Sequence, residues 1–166
     1  NLSIDHLKDK LSKAKRLGKL PKILIAVHLA GQSCNMKEIS KLSKKYNFKI
    51  IEDASHAIGA SYKKTKVGSC KYSDLTVFSF HPVKIITTAE GGLVLTNNKE
   101  LCEKIKRLRS HGTTVEKKKM SERPVNEIWN YQQIELGFNY RINDIQAALG
   151  LNQMKRLDEY VERRHH

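Results

Sequence analysis

The chain has 166 residues, 39% of them hydrophobic, and carries Lys+Arg 31 against Asp+Glu 17 for a formal net charge of +14. That is the length of one domain with enough apolar content for a packed core, and no apolar run approaches the ~20 residues that a membrane-spanning helix needs. The lysine excess is spread along the chain between apolar positions, as on solvated faces, and no reader motif accompanies it, so neither a specific nucleic acid nor a membrane is an expected partner.

The opening Asn1-Leu2-Ser3-Ile4-Asp5 lacks the basic and apolar regions of a secretory signal. Cys34, Cys70 and Cys102 are widely separated and show no metal-ligand spacing, so reduced thiols, a cytoplasmic location and no metal are expected.

Ser3 is placed to cap a helix whose apolar positions Ile4, Leu7, Leu11 and Ala14 follow helical spacing, with Gly18 and Pro21 ending it. Ile23-Leu24-Ile25-Ala26-Val27 predicts a strand buried on both faces, followed by a loop at Ala30-Gly31-Gln32. Met36, Ile39, Leu42 and Tyr46 share one face of a second helix, and residues 48–52 predict the next strand. This is a βαβ unit, which implies parallel strands. Residues 75–80 and 93–96 predict two further strands joined by a loop. A helix follows, with Leu101, Ile105 and Leu108 inward and Lys104, Lys106 and Arg107 outward. Residues 111–135 read as one long polar loop containing Lys117-Lys118-Lys119 and Pro124, of a length that often serves function or a partner. Asn143-Asp144 predicts the cap of a last helix whose apolar members run from Ile145 to Val161. The fold class is α/β, a mostly parallel sheet flanked by helices.

In such a sheet, ligands gather at the carboxyl ends of the strands. Three segments aim polar groups there: Gln32 after the first strand, Asp53 after the second, and Ser79 and Lys84 after the strand that starts at Leu75. An apolar strand running into the Pro82 loop, then Lys84, then Gly91-Gly92, suits a lysine held at a rigid sheet edge, where it can form a Schiff base with an aldehyde cofactor. A solvated surface charge is the alternative for Lys84. Asp53 reads either as the carboxylate beside a cofactor nitrogen or as a cap of the turn after its strand. His56 either bonds a cofactor oxygen or satisfies a backbone group, and Ser79 either donates to a phosphate or bonds neighbouring backbone.

Several motifs occur in order: Glu52-Asp53-Ala54-Ser55-His56-Ala57, Val67-Gly68-Ser69, Phe78-Ser79-Phe80-His81-Pro82-Val83-Lys84, Glu90-Gly91-Gly92, Arg109-Ser110-His111-Gly112 and Gly137-Phe138-Asn139-Tyr140-Arg141. Together they resemble the DegT/DnrJ/EryC1/StrS family of nucleotide-sugar aminotransferases, which are fold type I enzymes of pyridoxal 5'-phosphate, over almost the whole chain to about Arg164. The resemblance implies Lys84 as the Schiff-base lysine and Asp53 as the partner of the pyridinium nitrogen. It places His56 near the ring's phenolic oxygen and Ser79 on the phosphate. Asn139 is expected to reach the phosphate of a neighbouring subunit, which implies a homodimer with a shared active site.

Val27-His28-Leu29-Ala30-Gly31-Gln32-Ser33-Cys34 and the stretch from Lys84 to Gly92 resemble the pseudaminic acid branch. Its members move the amino group of L-glutamate onto the C4 ketone of a UDP-linked 4-keto-6-deoxy-N-acetylamino sugar. The resemblance also implies that residues 1–142 are part of the cofactor-binding large domain and 143–164 a helix leading to a small domain. His165-His166 reads as the start of a purification tag and is set aside. A fragment of such an enzyme is expected. The alternatives are a non-catalytic interaction domain derived from one, an aminotransferase of another sugar branch, and a polyanion binder driven by the charge.

Overall fold

The computed structural model describes residues 1–121, 127 and 129–165; Pro124 of the long loop and His166 lie outside them. Along the chain run α1 (Ile4–Arg16), β1 (Ile23–Val27), α2 (Met36–Tyr46), β2 (Lys49–Asp53), β3 (Ser61–Tyr62), β4 (Thr65–Lys66), β5 (Leu75–Ser79) and β6 (Gly92–Leu95). They are followed by α3 (Lys99–Leu108), β7 (Thr113–Thr114), β8 (Gln132–Gln133), α4 (Asp144–Met154) and α5 (Leu157–Arg163). Two compact units result: Asn1–Asn97 with Asp144–His166, and Asn98–Asn143.

The first unit is built on a four-stranded sheet in the order β1-β2-β5-β6. β1, β2 and β5 are parallel and β6 is antiparallel, as expected for an α/β fold with a short return strand. Ser3 caps α1 through its side chain, which accepts from His6 N–H, and Gly18 takes φ +64 just past the helix, where only glycine adopts that turn at no cost. Met36, Ile39, Leu42 and Tyr46 of α2 are all buried, together with Leu7 and Leu11 of α1, Ala26 of β1, and Phe48 and Ile50. That cluster is the main core. Ile39→Ala is therefore expected to lower the unfolding free energy by about 2–5 kcal/mol. Urea denaturation checks this, and an unchanged midpoint would contradict the packing. A second cluster joins Ala54, Ala57, Ile58, Phe78 and Ile86, with Leu157 and Tyr160 of α5 against it.

β1 departs from the sequence expectation of burial on both faces. Ala26 is buried, but Ile23, Ile25 and Val27 are 53%, 59% and 44% exposed. Side chains alternate along a strand, and α1 and α2 cover only the face that carries Ala26 and Ile50. The last helix is likewise two helices, α4 and α5, separated at residues 155–156, and Ile145, Leu149 and Met154 of α4 are exposed.

In the second unit, the described residues between 111 and 135 include a strand pair and a short turn rather than loop alone. β7 and β8 pair antiparallel, Thr113 with Gln133 and Thr114 with Gln132, and Lys117–Lys119 form a 3-10 turn. Gly112 sits at φ +68, and a Cβ there would come 1.9 Å from the Glu135 carbonyl oxygen, so glycine alone allows the two segments to meet. Arg107 does not project as a solvated charge: its Nε donates to Glu135.

Candidate functional site

The carboxyl ends of the three parallel strands form a common rim. Val27 is in register with Asp53, and Asp53 with Val77, so these residues share one face of the sheet, and alternation puts Ser79 on that face too. The rim carries polar groups because each strand stops there and the chain turns away.

Lys84 lies in a loop closed tightly at its base. The Phe80 carbonyl accepts from Thr88 N–H at 3.0 Å and Thr87 Oγ1 at 2.8 Å, and Phe80 N–H donates to Gly91 O at 2.9 Å. Lys84 N–H turns back onto His81 O at 3.0 Å. Ile86 is buried and Ile85 packs on the second core cluster, while Gln153 Oε1 of α4 accepts from Thr87 N–H at 2.9 Å. A lysine on such a loop is presented by apolar anchors on its own chain. Among the described residues its ammonium has no hydrogen-bond or ion-pair partner.

Asp53 uses one oxygen and leaves the other open. Ser55 donates twice to Oδ1, from Oγ at 2.6 Å and from its backbone N–H at 3.1 Å. Oδ2 has no partner among the described residues. The Ser55 hydroxyl bond first, then the Ser55 amide and the nearby charges of His56 and Lys84, hold the Asp53 carboxyl below its ordinary range, against a smaller opposing effect of burial. A depressed carboxylate pKa contributes stability that is present above the unfolded value of about 3.9 and is lost as pH falls through the folded value. Ser55→Ala should raise the Asp53 titration midpoint toward that ordinary value, read by carboxyl-carbon NMR. An unmoved midpoint would show that Ser55 does not set it.

His56 Nδ1 accepts from Ala30 N–H at 3.3 Å, which in the neutral ring leaves the proton on Nε2. Ala30 and Gly31 form a tight turn at φ +53 and φ +84, and a Cβ on Gly31 would lie 3.1 Å from His56 O. Ser79 Oγ accepts from His81 N–H at 3.3 Å, with its own proton free to donate. Both the backbone bonds weighed from the sequence and open polar atoms are thus present at Asp53, His56 and Ser79. Gln32 is exposed just beyond the turn. Asn139 belongs to the second unit, where it bridges Ser110. Among the described residues, no group of His, Cys, Asp and Glu is placed to hold a metal ion, and no helix is long and apolar enough to cross a membrane.

Ser55 at the rim, and His28 and Glu52 buried behind it, were not singled out from the sequence. The spacing Asp53-Ala54-Ser55 is that of an Asx turn and could have revealed Ser55. Glu52, a charged residue inside an apolar strand, signals a buried partner.

The fold and rim define an α/β protein that offers a loop amine and an ionised carboxylate at one sheet edge. A sequence profile of the DegT/DnrJ/EryC1/StrS aminotransferase family matches residues 1–166, and the chain belongs to that family. It is 54% identical over 138 residues to the UDP-4-amino-4,6-dideoxy-N-acetyl-beta-L-altrosamine transaminase of Campylobacter jejuni, covering 83% of this chain and 34% of that protein. The structure of Helicobacter pylori PseC, an aminotransferase involved in the biosynthesis of pseudoaminic acid, superposes with a TM-score of 0.75 at 39% identity, covering 90% of this chain and 37% of PseC. The PLP-form of the sugar aminotransferase Spr1654 of Streptococcus pneumoniae gives 0.67 at 30% identity, over 83% of this chain and 37% of that one. The chain thus spans about a third of the length of the curated relatives it matches.

Proposed function

We propose that this chain is the lysine-bearing part of a pyridoxal 5'-phosphate aminotransferase that acts on a UDP-linked 4-keto-6-deoxy-N-acetylamino sugar. The amino donor is L-glutamate and the acceptor carbon is C4. One observation carries the reading: Lys84, with no hydrogen-bond or ion-pair partner among the described residues, and Asp53, with one open oxygen, share a rim on a chain 54% identical to a transaminase of that sugar class.

The residues present fit the cofactor. Asp53 Oδ2 is an ionised acceptor with no partner among the described residues, which suits a protonated pyridine nitrogen. When bound, pyridoxal phosphate supplies a carbonyl carbon that amines condense with and a ring that withdraws electron density. Lys84 is the amine this chain offers. With the cofactor bound, its Nζ would be the base that takes the α-proton of L-glutamate and the acid that returns a proton when the sugar is aminated. Asp53 Oδ2 would accept the ring N–H, His56 Nε2–H would donate toward the ring's phenolic oxygen, and the Ser79 hydroxyl would donate to the phosphate. Asn139 reaches the phosphate of a second subunit, so the whole protein works as a homodimer. Residues 1–142 belong to the large domain, 143–164 lead toward a small one, and the protein resides in the cytoplasm.

The balance is simple: glutamate leaves as 2-oxoglutarate and the C4 ketone becomes an amine. The whole protein, supplied with L-glutamate and the UDP-linked ketosugar, is expected to release one 2-oxoglutarate per sugar aminated, with ping-pong kinetics. Absence of 2-oxoglutarate with both substrates present would overturn the proposal.

A further inference from the structure

Behind the rim, on the helix-covered face of the sheet, lies a polar cluster that takes no part in the chemistry above. His28 is 0% exposed and Glu52 5%. His28 Nε2 donates to Glu52 Oε2 at 2.8 Å. Glu52 Oε1 accepts from the Ser73 hydroxyl and from Thr76 Oγ1, the latter at 3.3 Å. Burial pushes the Glu52 carboxyl up, and these donors, His28 first, outweigh it and hold it below the usual range.

His28 is bonded through all four of its polar atoms. Its backbone N–H donates to Asp53 O at 2.9 Å, and its carbonyl accepts from Gly31 N–H at 3.2 Å. Nδ1 accepts from Cys34 N–H at 3.3 Å, and Nε2 holds Glu52. One residue therefore grips β2 on both sides of the Glu52–Asp53 peptide and both ends of the turn whose Ala30 N–H reaches His56. Through Ser73 and Thr76, Glu52 extends the grip to β5, the strand that ends at Ser79.

Stability gives this cluster little reason to exist. Buried charged networks cost desolvation, and replacing a whole pair by apolar side chains is often neutral or stabilising. We propose that His28 and Glu52 are positioning residues: their buried pair fixes the register of the strand ends and of the 29–34 turn, and so sets the places of Asp53, His56 and Ser79. The inference rests on the cofactor-site reading for its purpose, but its geometry is testable without the cofactor.

The test uses the 166-residue chain with His28→Leu and Glu52→Leu combined, so that no charge is left buried alone. Two quantities are read: amide hydrogen exchange at Ala30 and Ser55, and the Kd for pyridoxal phosphate from a fluorescence titration. The double variant is expected to keep the parent's circular dichroism while both amides exchange roughly 10-fold faster or more and the Kd rises by a similar factor, as when the supporting partners of site residues are removed. Exchange as slow as the parent's in the folded double variant overturns the proposal. Should the double variant not fold, His28→Gln and His28→Asn decide: the longer amide reaches Glu52 and should stay near the parent, the shorter one cannot and should loosen Ala30. Equal exchange in the two refutes positioning. If the parent itself binds no pyridoxal phosphate, the cofactor reading fails for this chain while the exchange rates still judge the pair.

Discussion

Lys84→Ala is expected to reduce amino transfer by the whole protein about 10⁴-fold or more, because in the proposed function the same Nζ is both the cofactor's anchor and the proton carrier. The fold should not notice. Lys84 has no ion pair among the described residues, and its loop is held by Ile85, Ile86 and the Phe80 carbonyl, none of which the substitution touches. Thermal unfolding and circular dichroism should therefore match the parent. Appreciable transamination by the folded variant would remove Lys84 from the mechanism. A large drop in melting temperature would instead show that Lys84 has a structural partner.

Asp53→Asn is expected to lower kcat/KM by about 10²–10³-fold, the usual cost of removing one preorganised electrostatic group. The amide keeps the shape and can still take the Ser55 bonds, so the turn after β2 should persist. It cannot hold a positive ring nitrogen, because it carries no charge and its pKa cannot be set by Ser55. The same logic gives a pH signature. Asp53 stays ionised below the ordinary carboxylate range, so loss of activity on its account should begin only as pH falls through its depressed value. Full activity of Asp53→Asn at neutral pH would leave its carboxylate as a turn cap alone.

Much of the polar rim was legible because its placement is local. Asp53, His56, Ser79 and Lys84 sit where apolar runs stop, and the carboxyl edge of a parallel sheet is where such runs expose polar groups. The α2 face was equally readable: Met36, Ile39, Leu42 and Tyr46 follow one helical stripe, and all four are buried. Other features depend on contacts that periodicity does not encode. Ile23, Ile25 and Val27 look like the core of a buried strand, yet which face is covered depends on the helices packed there. The β3–β4 hairpin turns at Lys63 and Lys64, both at positive φ, and Lys-Lys lacks the Asn-Gly or Asp-Gly signal by which such turns are recognised. The His28–Glu52 bond joins residues 24 positions apart, so neither residue announces the other. Arg107 fell on the polar side of a helical stripe, and its partner Glu135 lies 28 residues away.

The lysine excess behaves as solvated charge where the structure describes it. Lys8 with Asp5, Lys41 with Glu38, Lys106 with Glu103 and Lys119 with Glu116 are local surface pairs, each worth little to stability. The proposed function rests on one lysine whose loop is anchored and whose ammonium has no hydrogen-bond or ion-pair partner among the described residues.

The central claim is tested most directly by incubating the chain with pyridoxal phosphate, reducing with borohydride and mapping the modified lysine by peptide mass spectrometry. The account predicts a pyridoxyl group on Lys84 in preference to every other lysine. Labelling scattered over the surface lysines, or no labelling at all, would contradict it.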